Sequence, residues 1–182
     1  FAVQPGQRRP LRGYTAAMKR ILVTGATQGI GYATAKRLLA RHDERRPLPA
    51  EALHVLALGR DFSRFDLDGE HCQRVAFDLR AVDDIEALCA RLGPVDVLVN
   101  NAAMLTAQPF AQYTVKDRRD LIATNIEAPA ELIRCLAPQM IDRNGNQSIR
   151  GRIVNIASVA GFGGHPDVWY GASKGALLNL TK

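Results

Sequence analysis

The sequence predicts an α/β domain on a doubly wound parallel sheet, and three observations predict it. Short apolar, β-branched runs alternate with segments of helical spacing from Met18 onward. The runs are almost wholly apolar rather than alternating, as strands covered on both faces must be. A glycine-rich turn joins the first run to the first helix, as in right-handed βαβ crossovers.

Taken in order, Arg20–Thr24 (RILVT) reads as a buried strand ending at glycine, and 29–41 as a helix striped by Ile30, Ala33, Leu38 and Leu39. His42–Ala50 is charged and twice interrupted by proline, hence a loop. Further strands are expected at His54–Leu58, Arg74–Phe77, Val95–Val99 and Arg152–Ala157. Val82–Leu92 has helical spacing through Val82, Ile85, Leu88 and Cys89. A long helix is expected over 117–140, bent at Pro129. A last helix is expected to open at Val168 and run to Lys182, and in the glycine-rich stretch Gly161–Pro166 before it His165 is expected to be an exposed loop residue.

The chain has 182 residues, 47% apolar and 23% charged, which suits one soluble domain. No run approaches the roughly 18 apolar residues of a membrane span. Cys72, Cys89 and Cys135 are odd in number without CxxC spacing, and the four histidines are scattered, so neither a disulfide framework nor a metal site is expected. Reduced thiols point to the cytoplasm. Residues 1–42 hold eight Lys or Arg and no acid, whereas the other 140 carry 16 bases against 18 acids. The net charge of +6 is thus an N-terminal property, and nucleic acid is not the expected partner. Residues 1–17 have no strand or helix period and read as a disordered leader, leaving 18–182 as the domain.

Two constellations carry chemistry. Thr24-Gly25-Ala26-Thr27-Gln28-Gly29-Ile30-Gly31 lets the backbone turn tightly and approach a pyrophosphate at a helix N-terminus, where N–H groups are unpaired and the dipole is positive. Ile30-Gly31 stands where a P-loop needs Gly-Lys, which disfavours ATP and GTP. On the last helix, Tyr170 and Lys174 lie four apart and so share a face. An ordinary phenol is a poor acid or base at neutral pH, and a neighbouring ammonium favours its ionised form.

With its TGxxxGxG spacing, Asn100-Asn101-Ala102-Ala103, Ser158 and Tyr170-x-x-x-Lys174, the chain from Met18 to its end resembles the shorter, single-domain branch of the short-chain dehydrogenase/reductase family. The resemblance implies a Rossmann-type fold whose last strands would follow Lys182. It implies reversible hydride transfer between a nicotinamide cofactor and a small carbonyl or alcohol substrate. It further implies a catalytic set of Asn125, Ser158, Tyr170 and Lys174. Ser158 would hold the carbonyl oxygen and Tyr170 would move the proton. Lys174 would hold the ribose, and Asn125 would anchor a water leading from Lys174 to solvent. Cofactor contacts would come from Thr24, Gly25, Gln28, Gly29, Ile30, Gly31, Asp78, Leu79, Asn101, Ala102, Tyr170 and Lys174.

Arg60, just past the second strand, suits a 2′-phosphate and favours NADP, with NAD as the alternative. Two departures stand out: alanine replaces the last glycine of the family's NNAG motif, and Ser158 to Tyr170 is twelve residues rather than the usual thirteen. A family-like homodimer or homotetramer is expected of the full-length protein. Ala128, Leu132, Leu136, Ala176 and Leu177 suit either its interface or the core. The alternative reading is a cofactor-binding regulatory or scaffold fragment without turnover.

Overall fold

The computed structural model describes residues 18–40, 53–141 and 151–182. The expected leader (1–17) and the expected loop 42–50 lie outside the described residues. Five parallel strands form one sheet in the order β3-β2-β1-β4-β5: β1 (Lys19–Thr24), β2 (Leu53–Gly59), β3 (Cys72–Ala76), β4 (Val97–Asn100) and β5 (Arg152–Asn155). Leu22 pairs with Leu56 on one side and Leu98 on the other.

Residues of β1 and β2 divide between two apolar layers by the two-residue period of a strand. Leu22, Leu56, Leu58 and Leu98 pack in one layer with α2 (Ile85–Leu92) and α4 (Ala128–Leu136). Ile21, Val23, Val55 and Ala57 pack in the other with Ala35 of α1 (Gly29–Ala40) and Phe65. Helices therefore cover both faces, which is the doubly wound arrangement. Ala128, Leu132 and Leu136 are fully buried against the sheet, and Leu177 is buried as well. These residues are core rather than a surface for a second subunit.

The long helix differs from the sequence expectation. It opens earlier, as α3 (Val115–Ile122), because Thr114 and Asp117 form a reciprocal capping box. Ala123–Glu127 then takes a π turn, in which the Ala128 N–H bonds back to the carbonyl of Ala123, before α4 resumes. Pro129 supplies no N–H and its ring crowds the carbonyl four residues back, so the helix widens one turn ahead of it. α4 stops at Leu136, two residues before Pro138, and continues only as a 3₁₀ turn over Ala137–Gln139. The glycine-rich stretch opens with one helical turn, α5 (Ala160–Gly163), His165 follows it exposed in a loop, and α6 spans Val168–Leu180. Among the described residues no helix is long and apolar enough to cross a membrane, and no cluster of metal-ligating side chains occurs.

Candidate active site

The chain leaves β1 toward β2 and β3 and returns on the opposite side of β1 to form β4, so a crevice opens at the carboxyl ends of β1 and β4. Thr24 stitches its floor. The Thr24 hydroxyl accepts from the backbone N–H of Asn101 and of Ala102, both at 3.0 Å, and donates to the carbonyl of Val99 at 3.3 Å. The Asn101 amide donates back to the carbonyls of Thr24 (2.9 Å) and Gly25 (3.3 Å). Gly31, in the first turn of α1, lies so close that a Cβ there would sit 2.2 Å from the carbonyl oxygen of Gly25. Only glycine lets the helix start this near the turn.

Above that floor is a cleft of about 470 Å³. Of the cofactor contacts expected from the sequence, Gly25, Gln28, Gly29, Ile30, Arg60, Asp78, Leu79, Asn101 and Ala102 line it. Thr24 and Gly31 build its floor instead, and Tyr170 and Lys174 stand on α6. The first N–H groups of α1 have no partner within the helix, as at any N-terminus. Arg60 is exposed at the rim, while Asp61 is turned away into a local loop, its carboxylate accepting from the N–H (2.8 Å) and hydroxyl (3.0 Å) of Ser63. Asp78 is gripped by Arg80, whose guanidinium lies 2.5 Å from its carboxylate and also reaches Asp120 at 3.1 Å. Hydrogen bonding to Arg80 holds the Asp78 carboxyl below the usual carboxylate range.

α6 carries the second group. Its N-cap is Asp167, whose carboxylate accepts the Tyr170 N–H at 3.0 Å. The Tyr170 ring lies between two neighbours: the His165 ring at 5.3 Å, edge-on, and the Lys174 ammonium, 5.7 Å from the ring centroid. Lys174 is only 3% exposed and donates to the carbonyl of Ile156, just past β5, at 2.8 Å. Burial pulls its pKa below the ordinary lysine value. Ser158 accepts from the N–H of Ala160, the first residue of α5, at 3.2 Å, leaving its own proton free to donate. Asn125, in the π turn, is buried; it accepts from Met104 N–H (2.7 Å) and donates to the Met104 carbonyl (2.9 Å) and to Ser173 Oγ (3.0 Å). Both of its amide protons are thereby spent, and only a lone pair on Oδ1 remains for a water.

Comparison with known proteins decides the kinship: the family model described as short chain dehydrogenase matches residues 19–182. The chain belongs to the short-chain dehydrogenase family. It is 36% identical to gluconate 5-dehydrogenase of Gluconobacter oxydans over 168 residues, 90% of this chain and 62% of that protein. A metagenomic short-chain oxidoreductase solved in complex with NADP superimposes with a TM-score of 0.73 at 32% identity, covering 89% of this chain and 72% of the other. A 4-hydroxyisoleucine dehydrogenase complexed with NADH gives 0.74 at 31% identity, covering 90% and 66%. The chain spans about three-fifths of the length of the curated relatives it matches.

Several site residues escape a reading of the sequence, Thr124 of the cleft among them. Arg80 lines the cleft, and its only signal is an Asp78-x-Arg80 spacing at a strand end. Met104 and Leu105 wall the cleft immediately after Asn100-Asn101-Ala102-Ala103. Ser173 accepts from Asn125 and donates to the carbonyl of Tyr170 at 2.7 Å, a link visible only once α6 lies against the π turn.

Proposed function

We propose that the protein is an NADP-dependent oxidoreductase that interconverts a carbonyl compound and its alcohol, with Tyr170 as the proton carrier. The observation that carries this reading is the pairing of a buried Lys174 ammonium with the ring of Tyr170, on the helix that follows the strand beside the switch-point cleft. The cradle fits a dinucleotide. A helix N-terminus free of acidic side chains in its first turn faces the cleft, and Gly25 and Gly29 there take positive φ of 65° and 56°. Arg60 at the rim would take the 2′-phosphate, while Asp61, the nearest acid to a ribose 2′-hydroxyl site, is committed to Ser63.

When bound, the cofactor supplies or accepts the hydride at the substrate carbon. The chain's own groups manage the oxygen. In the reductive direction Ser158 donates its free proton in a hydrogen bond to the carbonyl oxygen, and Tyr170 delivers a proton to that oxygen as negative charge develops on it. Lys174 holds its charge against the Tyr170 ring from a dry position, where Coulombic attraction is less screened. One of its three protons is fixed on Ile156, and the others would hold the cofactor ribose. Asn125 acts by clamping Met104, and so the wall of the cleft. Two of the named relatives are a gluconate 5-dehydrogenase and a 4-hydroxyisoleucine dehydrogenase, so gluconate and 4-hydroxyisoleucine form the first substrate panel.

The test is Tyr170→Phe assayed against that panel with NADP(H). Turnover should fall by about 10²- to 10⁴-fold, the span of general acid–base catalysis, while cofactor affinity stays. Wild-type turnover in the variant would remove Tyr170 from the mechanism.

A further inference from the structure

Asp167 does more than a helix cap needs. An N-cap carboxylate is satisfied by a single N–H of the first turn, here that of Tyr170. This one is 3% exposed and takes further donors from two segments remote in sequence. The Tyr113 hydroxyl donates at 2.6 Å, the Ala107 N–H at 3.1 Å, and the Thr106 hydroxyl, which also touches the Tyr113 oxygen, lies at 3.4 Å. Burial alone would raise the Asp167 pKa, yet these hydrogen bonds outweigh it and hold the carboxyl below the usual range. Ala107 has a φ of +53°, a left-handed conformation that costs an alanine roughly 1–2 kcal/mol and persists only where surroundings impose it.

The other backbone group of Tyr170 is held by the same segment from the opposite end. Its carbonyl accepts from Ser173, Ser173 accepts from Asn125, and Asn125 bonds Met104 at both N–H and C=O. Tyr170 is therefore gripped at N–H and C=O, and both grips end on residues 104–107, whose Met104 and Leu105 wall the cleft. A simple cap accounts for one of these bonds and for none of the others.

We propose that Asp167 is a positioning residue that sets Tyr170 against the cofactor cleft by tying the first turn of α6 to the 104–107 segment. The inference rests on the reading of Tyr170 as proton carrier, since displacing a group that touches the reacting atoms is what costs rate.

The discriminating variant is Asp167→Asn in the intact protein. Asparagine caps helices as well as aspartate. Its oxygen keeps the Tyr170 N–H, but its NH₂ then meets the Ala107 N–H, donor against donor, and the tie is cut while the cap survives. The expected result is a kcat lower by about ten- to a hundredfold, as for small misplacements of a catalytic group, with both KM values within a small factor of wild type. Asp167→Ala should show the same kcat loss with a larger fall in Tm. Amide hydrogen exchange reads the tie without turnover: Ala107 should lose protection in Asp167→Asn while Tyr170 keeps it. Wild-type kcat in Asp167→Asn, or unchanged exchange at Ala107, would overturn the proposal. If Tyr170→Phe retains turnover but Ala107 deprotects as expected, the proton-carrier reading falls and the tie stands as structure alone.

Discussion

Gly31→Ala is the sharpest probe of the cradle, because its consequence is set by how closely the turn packs on α1. The new Cβ would lie 2.2 Å from the carbonyl oxygen of Gly25 and 2.5 Å from the Asn101 amide nitrogen, and real contacts open to at least 3.0 Å. One neighbour is backbone, so the turn must retreat by most of an ångström. Alanine stabilises a helix over glycine by about 1 kcal/mol, whereas forcing atoms into a filled space costs about 1–3 kcal/mol. Net stability should fall by no more than about 2 kcal/mol, a drop in Tm of several degrees for a chain this size. Binding should suffer more, since the retreating backbone is the surface offered to the pyrophosphate. A loss of about 1.4 kcal/mol or more there is tenfold or more in Kd for NADP. Calorimetric titration with NADP beside thermal denaturation separates the two effects. Gly69→Ala is the control: φ is +148° with nothing near the new Cβ, so stability should fall without change in Kd. Wild-type affinity in Gly31→Ala would refute the claim that this turn is the cradle.

Three further outcomes are expected. Arg60→Ala should cut kcat/KM with NADPH by about ten- to a hundredfold, the worth of a charge-assisted hydrogen bond of about 1.5–3 kcal/mol, and leave NADH unaffected; an unchanged ratio between the cofactors counts against Arg60. Arg20→Met removes a buried guanidinium that donates to the carbonyls of Leu92 (2.6 Å) and Pro94 (2.8 Å) where α2 ends, so unfolding in denaturant should come about 1–3 kcal/mol sooner with cofactor affinity intact. Burial, and then neighbouring Cys135, push the Cys89 thiol well above its ordinary range. A raised thiol pKa keeps the protonated, unreactive form at pH 8. Iodoacetamide followed by mass spectrometry should therefore spare Cys89 until the chain unfolds, and rapid native labelling would contradict that.

The sheet was legible because its evidence is local. Leu22, Leu56 and Leu98 sit within short apolar runs whose composition already requires cover on both faces. The glycine turn was legible for the same reason, its three glycines falling within seven residues. Helix ends were less so. Thr114 and Asp117 form a capping box that starts the helix two residues before the expected 117, and the π turn before Pro129 depends on how a displaced carbonyl is re-paired. Least legible were the bonds that give site residues their direction. Nothing near Asp167 in sequence points to Tyr113 or Ala107, 54 and 60 residues away. Nothing near Asn125 points to Met104. These partners meet only because β4 and the final helix are brought together by the sheet order.

That arrangement also explains which buried polar groups are finished by the protein and which await a ligand. A polar group taken from water must find partners or destabilise the fold. Asn125 spends both amide protons on Met104 and Ser173, and Asp167 accepts at both oxygens, so each is complete within the chain. Lys174 differs. It is as deeply buried, yet Ile156 is its single hydrogen-bond partner among the described residues, and an ammonium has three protons to place. Burial away from water depresses its pKa. A ligand offering hydroxyl oxygens to the remaining protons relieves it, and the ribose of a dinucleotide seated on the first crossover is such a ligand. Binding should therefore raise the Lys174 pKa, and cofactor affinity should weaken as pH rises past the depressed value in the free protein. The same affinity should be flat with pH in Lys174→Met, and an unchanged slope in that variant would locate the titrating group elsewhere.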